Sequence, residues 1–287
     1  MPRTSTKSIE ANENLKASAK ATFQQNSPLV ETVQMITRGL IPGVPKEVTI
    51  RAIQRKDKKK LLMGNVDDPL LSLLQECIVA PNNFNVYNLL GFEAEYLLYR
   101  LRVLTYGADY TFKEDCPYCR HLNDVNIDLS NIPIIDVPDD FTITFDISLP
   151  VSGDVLTCKL LTEGEKININ KSAKQFKEEA GNQTADIDMI WESRIIAING
   201  DSKIAPIEIS QYLDNMNDYD SEYFMEYYVQ KEGNYGLQTK LKFNCDNCGK
   251  FVESNMPSIY TFFRPKFTFD TTKWWQNRCI IYFWTFS

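Results

Sequence analysis

The sequence predicts an α+β fold with a mainly helical N-terminal part, two short hairpins and an inserted α+β subdomain between them. Leucine-rich runs with helical spacing occupy Leu70–Val79 and Val86–Leu104. Two Cys-x2-Cys pairs, each flanked by strand-like alternation, lie far apart in the chain, and strand-like and helix-like stretches follow one another between the pairs. Because a hydrophobic period near 3.6 indicates a helix and a period of 2 indicates a strand, both kinds of element are expected.

The composition is that of a globular protein. The 287 residues are 43% hydrophobic, which is enough for a sizeable core. Seven cysteines are too few for a disulfide scaffold of this length, so a reducing compartment is expected. The first 26 residues lack the apolar run of a secretory signal, and no stretch approaches the length of a membrane span. We therefore expect a soluble protein.

The charge is distributed unevenly along the chain, whose net charge is −7. Residues 1–64 contain 12 Lys/Arg against 5 Asp/Glu, whereas residues 65–287 contain 19 against 33. A basic N-terminal part on an acidic body favours contact with an acidic partner or with a neighbouring copy of the chain. A solvated face explains the cluster Lys56–Lys60 equally well.

The N-terminal part is predicted to contain a flexible arm and a mainly helical region. The arm, residues 1–26, has too little apolar surface to offset the entropy of ordering. In the helical region, residues 27–107, Asp68 and Pro69 mark one helix start and Gly107 marks a helix end. The predicted elements are a helix over Val30–Leu40, a strand over Val48–Ile53, and helices over Arg55–Met63, Leu70–Val79 and Val86–Leu104.

The pairs Cys116-Pro-Tyr-Cys119 and Cys245-Asp-Asn-Cys248 have the spacing of zinc knuckles. Two intervening residues let both sulfurs reach one ion, and four thiolates complete a tetrahedral Zn²⁺ site. Gly249 supplies a turn residue after the second pair. Ordinary buried thiols and two disulfides are the alternatives. The knuckle hairpins are assigned to residues 108–130 and 238–256.

The insertion, residues 131–237, lies between the hairpins, so the metal is expected to staple its two ends in a zinc-ribbon-like arrangement. Its predicted elements are strands over Phe141–Ile147 and Val155–Leu161, followed by helices over 162–179, Asp186–Ile198, from Ile209 onward, and Ser221–Val229. After it comes an aromatic segment, residues 257–287, which is either a strand in the core or a docking tail for another subunit. Candidate contact aromatics are Tyr227, Tyr228, Phe262, Phe263, Trp274 and Trp275.

No catalytic residues are expected. His121 is the only histidine and is interpreted as an exposed knuckle residue, with replacement of a cysteine on the metal as the alternative. The sequence contains no phosphate-binding loop, dinucleotide-binding turn or metalloprotease helix. A site closed by four thiolates leaves no position for a reacting water. Of the remaining cysteines, Cys77 and Cys158 lie in apolar helix-like and strand-like runs and are interpreted as buried inert thiols, and Cys279 lies in the C-terminal apolar segment.

Four segments follow one another in a recognisable order along the chain. They are Val48–Ile53, Lys60-Leu-Leu-Met63, the leucine-rich helix after Pro69, and Tyr96–Gly107 running into Tyr110–Cys119. In this order the sequence resembles the baseplate hub proteins of contractile-tailed phages of the T-even type. The resemblance covers about residues 45–135 and extends in the same order to residue 255.

This resemblance implies a structural or assembly component of the tail baseplate. Such a protein is expected to be made in the host cytoplasm and to join other hub or wedge proteins near the tape measure, in several copies of a symmetric assembly. The alternatives are a nucleic-acid-binding zinc-ribbon factor and an assembly chaperone absent from the finished virion. Basic residues near the knuckles are nearly cancelled by acidic ones, which disfavours nucleic-acid binding.

Overall fold

The computed structural model describes residues 28–63, 67–180 and 185–257 together with Phe263. Within these residues the fold combines helices with several small antiparallel sheets, as an α+β fold requires. The helices are α1 (Arg55–Met63), α2 (Pro69–Cys77), α3 (Gly91–Tyr106), α4 (Glu163–Ala180), α5 (Ala185–Glu192), α6 (Pro206–Asp214) and α7 (Asp218–Gly233). The strands are β1 (Val30–Gln34), β2 (Glu47–Arg51), β3 (Ile78–Ala80), β4 (Asp109–Asp115), β5 (Leu122–Asp128), β6 (Ile134–Ile135), β7 (Thr144–Ser148), β8 (Val155–Lys159), β9 (Ile195–Ile198), β10 (Gly236–Leu237), β11 (Lys240–Asn244) and β12 (Phe251–Asn255).

The N-terminal part contains a three-stranded antiparallel sheet in the order β1-β2-β3. The helix predicted over Val30–Leu40 is therefore wrong, because the start of this segment is β1. Its residues are mainly β-branched, and Val33 pairs with Val48 of β2 in a buried position. A local helical spacing of apolar residues was overridden by pairing with a strand that lies later in the chain.

Helix α3 lies at the centre of the molecule, and its Leu97 and Leu101 are completely buried. The helix predicted over Val86–Leu104 starts later than expected, at Gly91. Leu90 has an extended backbone and serves as the N-cap, while a short 3-10 turn occupies Val86–Asn88. The apolar run before Gly91 is thus buried without being part of the helix.

The two knuckle hairpins are formed as predicted. Strands β4 and β5 pair antiparallel over their full length, and so do β11 and β12. Beside them, β6 pairs with β10. Since β6 opens the insertion and β10 ends it, this short sheet brings the two ends of the insertion together.

The insertion contains the antiparallel sheet β7-β8-β9, with α4 to α7 around it. The helix predicted over Asp186–Ile198 is wrong in its second half, since α5 ends at Glu192. Ile195–Ile198 forms β9 instead and pairs with β8. Branched side chains favour a strand, and three of the four residues of β9 are buried.

Buried residues of the N-terminal part and of the insertion belong to one hydrophobic cluster. Phe92 of α3 contacts Phe141 and Tyr235 of the insertion, with ring centroids 6.3 and 5.9 Å away. Two of the predicted contact aromatics, Tyr228 and Phe263, are buried in this core and are not available at the surface. Among the described helices, none combines the length and the apolar character needed to cross a bilayer.

Several predictions lie outside the described residues. They concern the arm of residues 1–26 and nearly all of the aromatic segment 257–287, including Cys279 and the two tryptophans.

Candidate metal centre

The structure brings together the four cysteines that the sequence predicts as metal ligands. Their Sγ atoms all lie within 4.8 Å of one another. The sulfurs of Cys116 and Cys248 are 3.8 Å apart, and those of Cys119 and Cys245 are 3.6 Å apart. These short distances join one hairpin to the other, so the cluster depends on the docking of both hairpins.

The two knuckles have the same local backbone structure. In the first hairpin the Cys116 amide donates to the carbonyl of His121, at 2.9 Å, and the Arg120 amide donates to the carbonyl of Cys116. In the second hairpin the amides of Cys245 and Gly249 make the corresponding hydrogen bonds, to the Lys250 and Cys245 carbonyls. This turn directs both sulfurs of each pair to the same side.

Each turn needs one residue with positive φ directly after its second cysteine. Gly249 takes this position in the second knuckle, at φ 68°, as predicted from its place in the sequence. In the first knuckle the position is taken by Arg120, at φ 60°. A non-glycine residue in this conformation costs roughly 1–2 kcal/mol. The first knuckle therefore stores local strain that the second one avoids.

The sulfur positions fit a tetrahedral zinc ion. With Zn–S bonds of about 2.3 Å, the edges of a regular tetrahedron are about 3.8 Å long. The two sulfur distances between the hairpins, 3.8 and 3.6 Å, are close to that edge, and all four cysteines are free thiols rather than disulfides. Four thiolates would bind the ion and close its coordination shell, and the chemistry that the metal supplies there is structural.

Backbone amides prepare some of these sulfurs for ionisation. The Cys248 amide donates to the Cys245 sulfur and lowers the pKa of that thiol to about 6. The pKa of Cys119 is also lowered, mainly by the amide of His121 and then by the side chain of Asn247. The Lys250 amide acts on Cys248 in the same sense, but burial and hydrogen bonds from the other thiols raise its pKa to about 11. The cluster thus provides donors that favour thiolates, the form that binds metals.

The metal centre is a small unit with little hydrophobic packing of its own. Within the described residues, its cluster of buried side chains consists of Cys116, Cys245 and Val252, with Cys119 and Phe243 packed against them. A second small cluster connects the hairpins to α3 and includes Tyr99 and Met256. Since so little apolar surface is buried at the knuckles, their geometry requires another source of stability.

A sequence model of the family described as "T4 bacteriophage base plate protein" matches residues 33–264. The chain belongs to this family. The match spans most of the N-terminal sheet, both hairpins and the whole insertion, and it confirms the resemblance to T-even phage baseplate proteins. Searches of curated proteins and of solved structures find no match.

Membership of this family makes the chain a structural component of a phage baseplate and thus of the virion tail. Such a role suggests a protein without enzymatic activity and with other tail proteins as its neighbours in a multi-copy assembly.

Asn123 of β5 is a residue of this baseplate protein that sequence reasoning missed. Its side chain is buried, donates to the carbonyls of Glu114 and His121, and accepts a 2.9 Å hydrogen bond from the Asp246 amide of the other knuckle. The sequence did contain a signal for this role: Asn123 lies two residues before Val125, so both side chains lie on the same, inward-facing side of the strand. Asn247 was also missed, and its side chain donates to the Cys119 sulfur at 3.6 Å.

His121 is exposed in the first knuckle, and the four-sulfur cluster does not include it. Cys77 and Cys158 lie in the main core, where burial raises the pKa of each thiol to about 12. Both are therefore protonated and unreactive at neutral pH, as the sequence predicted.

Proposed function

We propose that this baseplate protein is a zinc-stapled subunit of the hub region that binds other tail proteins. The observation that supports the staple is the convergence of Cys116, Cys119, Cys245 and Cys248 beside the two ends of the insertion. A single Zn²⁺ on these sulfurs would tie residues 108–130 to residues 238–256. The insertion, residues 131–237, would then be held at its base as a rigid projection of the N-terminal region.

A metal staple suits a subunit that carries load. Structural zinc sites contribute on the order of 10–16 kcal/mol of apparent binding free energy, which is also folding free energy. The hairpins are two-stranded, and isolated two-stranded hairpins are marginal in water. A zinc ion would therefore supply most of the stability that the knuckles lack.

Zinc in this role leaves the protein without a catalytic metal. Four thiolates around one ion exclude the open coordination position that a metal-bound water would need. We infer that the protein acts by binding its neighbours, which would be other hub or wedge proteins and the tape measure, after synthesis in the host cytoplasm.

Nucleic-acid binding by the knuckles, the alternative function, gains no support from the surface charges. Lys113 pairs with Asp124 across the first hairpin, and Lys242 pairs with Glu253 across the second, at 3.2 Å in both cases. Cations that are neutralised within their own hairpin contribute little to phosphate binding.

The hub assignment is tested on assembled particles. Quantitative mass spectrometry of purified virions and of isolated baseplates should find the protein in fixed ratio to hub proteins. Crosslinking of the same baseplates should join it to hub subunits. Recovery only from assembly intermediates would instead identify an assembly chaperone, and crosslinks confined to peripheral baseplate proteins would overturn the hub location.

A further inference from the structure

Helix α7 presents an unusual exposed surface, which we call the tyrosine face. Its carboxylates Asp218, Glu222 and Glu226 are exposed, and Tyr219 and Tyr223 beside them are 67% and 38% exposed. The three carboxylates lie opposite the buried side of the helix, and the two tyrosines lie beside them. Residues four apart on a helix are about 6 Å apart along its axis, so the face carries regular rows of carboxylates and rings.

The tyrosine face is held rigidly. Asp220, on the opposite side of α7, accepts 2.9 Å hydrogen bonds from the amides of Val151 and Ser152. Tyr227 extends the row of rings inward and stacks obliquely on Phe145, with centroids 6.3 Å apart. Rigid aromatic residues on a fixed element are typical of protein-binding surfaces.

Helix α1 presents the complementary chemistry, which we call the basic face: Arg55, Lys56 and Lys59 are exposed on one side of it. Asp57 on the inner side is buried, and it accepts hydrogen bonds from the Arg51 guanidinium at 2.7 and 3.0 Å. This contact fixes which side of α1 faces solvent.

The basic face is costly to α1 itself. Cations in the first turn oppose the helix dipole, at about 0.3–1 kcal/mol each. Among the described residues, none of the three cations forms a salt bridge, and Lys56 has only a weaker electrostatic interaction with Asp57, whose carboxylate is bound to Arg51. Both observations favour a binding role, because the part of the chain that the structure describes offers these charges no salt-bridge partner.

We propose that the basic face of α1 binds the tyrosine face of α7 in a second copy of the chain. The cations of α1, which are placed at helical spacing, can pair with the row of carboxylates on α7 and lie over its tyrosine rings. The two faces are different surfaces, so the contact is head-to-tail and gives rings or open chains of copies. This inference rests on the proposed function, in which several copies assemble, and it names the surfaces that join them.

A charge-swap experiment tests the contact with purified full-length protein. The wild type should self-associate in sedimentation velocity at low salt, and association should weaken as salt rises, because exposed charges are screened. Lys56→Glu/Lys59→Glu and Glu222→Lys/Glu226→Lys should each weaken association at least about tenfold, because like charges then face each other. An equimolar mixture of the two variants should restore association, since each basic helix then meets an acidic one.

Matched controls separate this contact from net charge and from misfolding. Lys174→Glu/Lys203→Glu and Asp109→Lys/Glu47→Lys change the charge equally at exposed positions outside both faces, and they should associate like the wild type. All variants should keep the wild-type circular dichroism and melting temperature.

Three results would overturn the proposal: a monomeric wild type at every concentration tested, variants that associate as strongly as the wild type, or a mixture of variants that stays monomeric. None of them bears on the presence of the protein in baseplates, which particle mass spectrometry measures separately.

Discussion

The region around α3 and the pair of knuckles are two parts of one chain that are stabilised in different ways. The first buries complete leucine side chains in a core shared by the N-terminal sheet and the insertion. The second buries Cys116, Cys245 and Val252 and contains two short hairpins. Burial of apolar surface is sufficient to stabilise the first region. The second region buries little apolar surface and has four cysteine sulfurs at its centre in place of a hydrophobic core.

The proposed zinc staple would explain how a chain can insert more than a hundred residues between two hairpins and keep them together. The few buried side chains at the knuckles would stabilise the junction only marginally, whereas a metal ion could join the two hairpins through four well-placed sulfur atoms. The strands β6 and β10 add a short sheet at the same place. We therefore expect the two regions to respond independently to perturbation.

The largest effect is expected from metal removal. A strong chelator should release the ion and abolish amide protection in residues 108–130 and 238–256, because about 10–16 kcal/mol of binding free energy is lost there. Protection of β2 and α3 should persist. Hydrogen exchange with mass spectrometry measures both regions in one experiment. Loss of protection across the whole chain would contradict the claim that the two regions are stabilised independently.

A substitution in the core should destabilise the region around α3 and leave the knuckles and their metal unaffected. Leu101→Ala in α3 removes a completely buried side chain and should lower the free energy of unfolding by about 2–5 kcal/mol. Zinc content should stay unchanged. Urea denaturation gives the stability, and Leu122→Ala, at a residue that is 46% exposed, is the control expected to change it by less than about 0.5 kcal/mol.

The Asn123 side chain should matter at the junction of the knuckles. Asn123→Ala leaves the Asp246 amide without its acceptor and should cost about 1–3 kcal/mol, measured as faster exchange of both hairpins. Asn126→Ala, at an exposed position of the same strand, is the matched control. Equal behaviour of the two variants would exclude a bridging role for Asn123.

The smallest effect is expected from substitutions at the positive-φ residue of each knuckle turn. Arg120→Gly should relieve the strain of positive φ and stabilise the first knuckle by roughly 1 kcal/mol, while Gly249→Ala should destabilise the second by a similar amount. A side chain at Gly249 would meet no atom within 4 Å, so the cost there is conformational. Thermal unfolding of the zinc-loaded protein measures both, and shifts of the same sign would refute the interpretation.

The sequence predicted the convergence of the four cysteines better than it predicted the surrounding fold. Cysteine spacing and strand alternation are local signals, and they located both hairpins and all four sulfurs. The charged helix α1 was also predicted with its observed bounds, Arg55–Met63.

The failures have a common physical cause. Val33 and Ile195 lie in strands whose partners, β2 and β8, are distant in sequence, so no local period indicates the pairing. Asn123 was missed for the same reason, since its partner amide belongs to the other hairpin, 123 residues later. Contacts between distant segments decided these cases.

The metal content of the purified protein tests the account most directly. Elemental analysis together with native mass spectrometry should find one zinc per chain, and Cys248→Ser should lose it while Cys158→Ala in the core retains it. Metal-free wild-type protein, with Cys116, Cys119, Cys245 and Cys248 all freely alkylated, would contradict the staple.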